Sequence, residues 1–178
     1  MSTAPDGIVP DTKDWTWVLD RPCPDCGFDP SAQTLADLPR AFHDTAMTWS
    51  DVLARADVSA RPSPEVWSPL EYACHVRDVH EIFAQRVRLM LDEDEPTFAN
   101  WDQDATAIER DYAGQDPSEV VVELIGAAGT VAGVYATVTD ATRGRRGIRS
   151  NGDAFTVETL GSYHLHDIVH HLHDVGAA

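Results

Sequence analysis

Five histidines fall within ten positions near the end of the chain, in the segment HLHDIVHHLHD (164–174). Apolar residues recur between them at helical intervals, so the segment is predicted to form a helix. At about 100° per residue, His166, His170 and His173 fall on one stripe, whereas His164 and His171 fall on another side. Side chains four apart on a helix can present two imidazoles to one metal ion, and His166 and His170 have this spacing. The alternative is that these histidines only pack or face solvent.

A third ligand would have to come from a facing helix. In the segment EYACHVRDVH (71–80), His75 follows the apolar pattern and is predicted to face inward, whereas His80 points to another side. Three protein nitrogens would leave open positions on the ion, as in a catalytic metal site. Three carboxylates lie within a helical turn of candidate ligands and could orient them, or could simply be solvated: Asp78, Asp167 and Asp174.

A second candidate site is the segment RPCPDCGFDP (21–30), which contains Cys23 and Cys26. This pattern is typical of one knuckle of a zinc ribbon, but a closed site needs two more ligands. His43, Cys74 or His80 could supply them after folding. The other interpretations are a disulfide between the two cysteines, or two reduced thiols in a packed arm.

Proline and glycine residues that interrupt helical periodicity divide the chain into an extended arm (1–30) and a helical domain (31–178). Helix one is predicted to begin at a Ser31 cap. Helix two begins after Ser68 with a capping box to Glu71, a third follows Asp116, and the histidine segment is the last. Small residues in the third, at 126, 129 and 133, predict close helix contact. Between these helices lie a short irregular or helical stretch and a loop with a small hairpin. The predicted class is all-α, an antiparallel four-helix bundle.

Charge and hydropathy restrict the partners. The net charge of −17 disfavours nucleic acid and anionic membranes. No apolar run reaches the ~20 residues of a membrane span, and the first residues lack the features of a secretory signal, so the expected location is the cytoplasm. We expect small-molecule partners, and the sequence leaves a homodimer open.

The pairing of WSPLEYACHVRDV (67–79) with HDIVHH (166–171), together with NWDQDA (100–105), resembles the DinB superfamily of four-helix-bundle metalloproteins over about residues 31–175. In that family one histidine comes from helix two and two ligands, the first sometimes a glutamate, come from helix four at i and i+4. The resemblance implies His75, His166 and His170 as metal ligands, with His173 as an alternative. Neutral imidazoles suit Zn²⁺, Ni²⁺, Co²⁺ or Fe²⁺, and among these we expect zinc, with nickel as a frequent substitute in purified protein.

The family includes thiol S-transferases that use bacillithiol and mycothiol-dependent enzymes such as maleylpyruvate isomerase. The resemblance therefore implies transfer of a small thiol to an electrophile, or thiol-dependent isomerisation, in detoxification. Arginine outnumbers lysine twelve to one, a composition typical of high-GC genomes, and this favours mycothiol as co-substrate. A basic cluster at Arg143, Arg145, Arg146 and Arg149 could meet a substrate carboxylate or merely neutralise an acidic surface. The alternative function is a non-catalytic metal-binding stress protein, and the sequence identifies no catalytic residue.

Overall fold

The computed structural model describes residues 7–10, 13–99 and 101–177. Within these residues, five α-helices and three short strands follow one another in the order α1 (Leu38–Leu53), α2 (Pro69–Asp92), β1 (Thr97–Phe98), α3 (Gln103–Glu109), α4 (Pro117–Ala136), β2 (Arg146–Arg149), β3 (Ala154–Thr156) and α5 (Val157–Asp174). The long helices α1, α2, α4 and α5 pack together around one hydrophobic core. The predicted four-helix bundle is therefore confirmed, with α3 and the strands as additions to it.

Local capping explains where the long helices begin. The Ser68 side chain accepts a hydrogen bond from the backbone N–H of Glu71, and the Glu71 carboxylate accepts one from the Ser68 N–H, as predicted. The Asp116 side chain caps α4, and Thr156 and Thr159 form a capping box at the start of α5. These caps fix the residues at which α2, α4 and α5 begin.

Two local predictions were wrong. Helix one does not begin at Ser31, where the chain forms a 3-10 turn, but at Leu38. Pro39 lies in its first turn, where the missing proline N–H costs nothing. The small residues of α4 do not permit close contact either, since a Cβ added at Gly126, Gly129 or Gly133 would meet nothing within 4 Å.

Helix α4 is the most apolar of the long helices, and one of its faces contributes to the core. It is 20 residues long with a mean hydropathy of 1.5, which by length and composition would suit a membrane span. One of its faces is buried against α1 and α2 through residues such as Val120, Leu124 and Val131. This is the packing of one helix within a helix bundle.

The predicted hairpin is formed by β2 and β3, which pair antiparallel, and β1 joins β2 in parallel. The N-terminal arm packs on the bundle, with Val18, Cys23 and Phe28 buried. Together the arm, the sheet and α3 surround the face of α5 that carries most of the histidines.

Candidate metal centre

Two groups of metal-ligating side chains meet on α5. In each group, one donor atom per residue lies within 4.8 Å of the others. The His75 cluster joins α2 to α5 and consists of His75, Asp167 and His171. The Cys23 cluster joins the arm to α5 and consists of Cys23, Cys26, His166 and His170.

The donor atoms of the His75 cluster converge on a common point. Nε2 of His75 and Nε2 of His171 each lie 3.7 Å from Oδ1 of Asp167. This exceeds hydrogen-bond distance, and Asp167 Oδ1 is buried without a hydrogen-bond partner among the described residues. A tetrahedral ion bound at about 2.0–2.1 Å would set such nitrogen–oxygen distances near ~3.3 Å. A small inward movement would thus complete a three-donor site, and a divalent cation would satisfy the carboxylate oxygen.

The electrostatics of the cluster favour the protonation states that a metal requires. Burial lowers the pKa of His75, although the neighbouring Asp167 partly opposes this shift. Burial also raises the pKa of the Asp167 carboxyl, but His75 and His171 outweigh this effect and leave it well below its usual range. A neutral imidazole next to an ionised carboxylate is ready to bind a cation without releasing a proton.

Neighbouring groups hold the two imidazoles in place. Nδ1 of His171 donates a hydrogen bond to Oδ2 of Asp174 at 2.9 Å, which leaves Nε2 for the cluster. The ring of His75 stacks on Trp101 with a centroid distance of 5.4 Å and an interplanar angle of 8°, and it packs against Trp67 at 5.4 Å. Both ligating rings are therefore oriented by contacts outside the cluster.

A cleft of about 690 Å³ is lined by Asp167 and His171 of the His75 cluster and by His166 and His170 of the Cys23 cluster. Aromatic and basic side chains also line it, from the arm, the segments before α2 and α3, α2 itself, β2 and α5: Lys13, Trp15, Trp67, Tyr72, Trp101, Arg149 and Tyr163. A larger and more open depression of about 1030 Å³ lies between α2 and α4 but contains neither cluster. The smaller cleft is the one that combines donor atoms with room for a small molecule.

The structure distributes the three predicted ligands over both clusters. His75 lies with Asp167 and His171, whereas His166 and His170 lie with the cysteines of the arm. Two pairs of potential ligands on α5 have the i, i+4 spacing, and they are offset by one residue. The pair that faces α2 is Asp167 and His171, not His166 and His170. Asp167, predicted to orient a ligand, instead presents its own oxygen to the site, and His173 belongs to neither cluster. A carboxylate four residues before His171 was the sequence signal for this pair.

Other predicted residues have structural roles. Both oxygens of Asp78 are occupied, by Arg77 and Arg110 on Oδ1 and by the hydroxyl of Tyr112 on Oδ2. His80 and His164 form a buried pair, with 3.1 Å between Nδ1 and Nε2. These groups stabilise the bundle and do not line the cleft.

Three of the four arginines in the basic cluster before α5 form hydrogen bonds or ion pairs at the surface of the bundle. Arg145 donates hydrogen bonds to the carbonyls of Met90 and Glu93 at the end of α2. Arg143 and Arg146 form ion pairs with Glu158 and Glu95 respectively. Only Arg149 of the four lines the cleft, where its guanidinium lies 3.6 Å from Asp153.

None of the three residues proposed to complete the cysteine pair takes part in its cluster. His43 is exposed beside Asp44, His80 pairs with His164, and Cys74 is buried near Gln115. The partners are the two histidines of α5, because the arm folds back across that helix.

Comparison with known proteins agrees with the fold and the family. The family model described as the DinB superfamily matches residues 40–175. Among solved structures, YfiT from Bacillus subtilis superposes with a TM-score of 0.71 at 20% identity, over 80% of this chain and 85% of that one. YfiT is described as a probable metal-dependent hydrolase with an unusual four-helix bundle topology. A search of curated proteins gave no match.

Proposed function

This chain belongs to the DinB superfamily, and on that premise we propose that it is a cytoplasmic, metal-dependent enzyme that transfers a small thiol, mycothiol, to a small electrophile. His75, Asp167 and His171 hold the ion, which is zinc. The observation that carries the proposal is a three-donor site, with an unpartnered buried carboxylate oxygen, beside a cleft large enough for two small reactants. Three protein donors leave further coordination positions for a reactant.

The ion, when bound, would lower the pKa of a thiol beside it and so supply a thiolate at neutral pH. Asp174 keeps His171 in the tautomer that ligates, through the hydrogen bond to Nδ1. Trp67 and Trp101 hold the His75 ring and exclude water from one side of the site. The walls of the cleft carry both signs of charge, with Lys13 and Arg149 on one hand and Glu65, Asp102 and Asp104 on the other.

Hydrolysis is the second candidate, because YfiT, the solved structure similar to this chain, is described as a probable metal-dependent hydrolase. The same ion can activate water in place of a thiol. The two reactions differ in the nucleophile and therefore in the product. A non-catalytic metal-binding protein would bind the ion and form neither product.

The test uses untagged protein loaded with Zn²⁺ or Ni²⁺, a fluorogenic alkyl chloride and mycothiol. In the expected reaction a sulfur–carbon bond forms, chloride leaves and the thiol proton passes to solvent. We expect the loaded chain to exceed the uncatalysed rate by at least about tenfold, a difference of ~1.4 kcal/mol in barrier. His171→Ala should fall to background. His173→Ala removes a half-exposed histidine of the same helix that belongs to neither cluster, so it should retain full activity.

An activated ester without thiol tests the alternative. Metal-dependent ester cleavage without thiol transfer would replace the transferase with a hydrolase. Metal uptake without either product would favour the binding protein. Equal activity of the His171→Ala and wild-type chains would refute the assignment of the site.

A further inference from the structure

We propose that Cys23, Cys26, His166 and His170 bind a second ion, a structural zinc, which fastens the N-terminal arm to α5. This site shares no ligand with the His75 cluster. Its existence does not depend on the proposed function, since a structural ion would be present whether the neighbouring centre transfers thiols, hydrolyses esters or only binds metal.

The distances within the Cys23 cluster suit a tetrahedral ion. Its four donor atoms lie within 4.8 Å of one another, and Sγ of Cys23 is 3.7 Å from Nδ1 of His170. With zinc bonds of about 2.3 Å to sulfur and about 2.0–2.1 Å to nitrogen, a regular tetrahedron places sulfur and nitrogen ~3.6 Å apart. The distance between Cys23 and His170 therefore already matches that of a zinc site, and the other donors lie close enough to reach the same ion.

The backbone of the arm has the tight turn that a zinc knuckle requires. The Gly27 N–H donates to the Cys23 carbonyl at 2.9 Å, and the Cys23 N–H donates to the Phe28 carbonyl at 2.8 Å. Gly27 has a φ of 73°, in the left-handed region that glycine adopts without strain. This turn brings both cysteine side chains to the same side, towards α5.

On the helix, the i, i+4 spacing of His166 and His170 presents both rings to the cysteines. Cys23 is 1% exposed and His166 is 4% exposed. Nε2 of His166 is buried without a hydrogen-bond partner among the described residues. The ring of Trp15 packs against both histidines, at 5.4 and 4.8 Å.

The donor set identifies the ion and its role. Two thiolates and two imidazoles are the ligands of structural zinc, and four protein donors fill its tetrahedral sphere. No position then remains for a substrate, in contrast to the three-donor His75 cluster. The Cys23 cluster is therefore assigned to structure.

The position of the cluster shows what it stabilises. Its two histidines flank Asp167 and alternate along α5 with the ligands of the other centre. The arm contributes Lys13 and Trp15 to the wall of the cleft. A zinc ion at the Cys23 cluster would hold this wall closed over the His75 cluster.

The test begins with zinc content per chain, measured on reduced, untagged protein after zinc loading and removal of free metal. Wild type should hold two equivalents. Cys26→Ser and His171→Ala should each hold one, because each removes a ligand from a different cluster. Cys74→Ala is the matched control: it removes the remaining cysteine, which lies in the core, and should keep both equivalents.

Cobalt substitution then shows which site contains sulfur. A thiolate-to-cobalt charge-transfer band should appear in wild type, His171→Ala and Cys74→Ala, and disappear in Cys26→Ser. The site is refuted if reduced wild type lacks this band, if Cys26→Ser retains it, or if the metal-loaded chain proves by mass to contain a Cys23–Cys26 disulfide. If His171→Ala instead keeps both equivalents and the band, only the assignment of the His75 cluster is refuted, so the two proposals fail separately.

Discussion

Substitution of Asp174 is a specific test of the His75 cluster, because Asp174 contacts the proposed ligand His171 but is not itself a proposed ligand. Its Oδ2 accepts the 2.9 Å hydrogen bond from Nδ1 of His171. A carboxylate in this position fixes the imidazole ring and increases its basicity, and loss of such a partner typically weakens metal binding by about 10- to 100-fold. We therefore expect Asp174→Ala to raise the Kd for Zn²⁺ by this factor, or ~1.4 to 2.7 kcal/mol.

The measurement is a competition titration at pH 7 against a chromophoric chelator. It is made in the Cys26→Ser chain, because Oδ1 of Asp174 also lies 3.8 Å from Nε2 of His170 and could affect the Cys23 cluster. Asp174→Asn keeps a hydrogen-bond acceptor but removes the charge, so its Kd should lie between wild type and Asp174→Ala. The control is Asp140→Ala, which makes the same charge change at a fully exposed side chain outside both clusters.

Two results would refute this reasoning. An unchanged Kd in Asp174→Ala would mean that the hydrogen bond to His171 does not orient a ligand. An equal loss in Asp140→Ala would mean that net charge, and not orientation, governs affinity.

Two further predictions concern the bundle. Burial lowers the pKa of His80 to about 3. Because the unfolded chain binds this proton near pH ~6.5, stability is lost as the pH falls below that value, by about 2 kcal/mol at pH 5. Urea unfolding at pH 7 and pH 5 should show a smaller drop in unfolding free energy in His80→Gln than in wild type. Equal drops in the two chains would contradict the assignment of this pH dependence to His80. In Gly161→Ala the new Cβ would lie 2.4 Å from Leu38 Cδ1 and 3.0 Å from Tyr135 Cε1. It should cost about 1–3 kcal/mol in thermal unfolding, whereas the unobstructed Gly126→Ala should stabilise by about 0.5–1 kcal/mol; a stable Gly161→Ala would argue against this packing.

The fold was predictable because its signals are local. The box formed by Ser68 and Glu71, with Pro69 in the first turn, marks the start of α2 in sequence and structure alike. Asp116 does the same for α4. The start of α1 was misjudged because Ser31 is a residue type that caps helices, whereas the chain forms two 3-10 turns, Pro30–Ala32 and Leu35–Asp37, before α1 begins at Leu38.

The sequence predicted which helices carry the candidate metal ligands, but not which residues of α5 face α2. His75 was assigned from the apolar pattern of α2, and the structure places it in a cluster with α5. Sequence spacing could not choose between the pair His166 and His170 and the pair Asp167 and His171, because the two residues of each pair are four apart. The two pairs differ only in the direction in which they leave the helix, by one residue step of about 100°. What decides the choice is the rotation of α5 against α2 and the arm, which depends on tertiary packing.

The ambiguity on α5 also explains how one helix can serve two ions of different function. Adjacent i, i+4 pairs point about 100° apart, so one pair faces the neighbouring helix and the other faces the arm. The pair that faces α2 meets one histidine, so the proposed ion there would keep open positions for a reactant. The pair that faces the arm meets two cysteines, which would complete the coordination of the second proposed ion. If both proposals hold, single substitutions at His170 and His171, which are adjacent in sequence, should remove different ions.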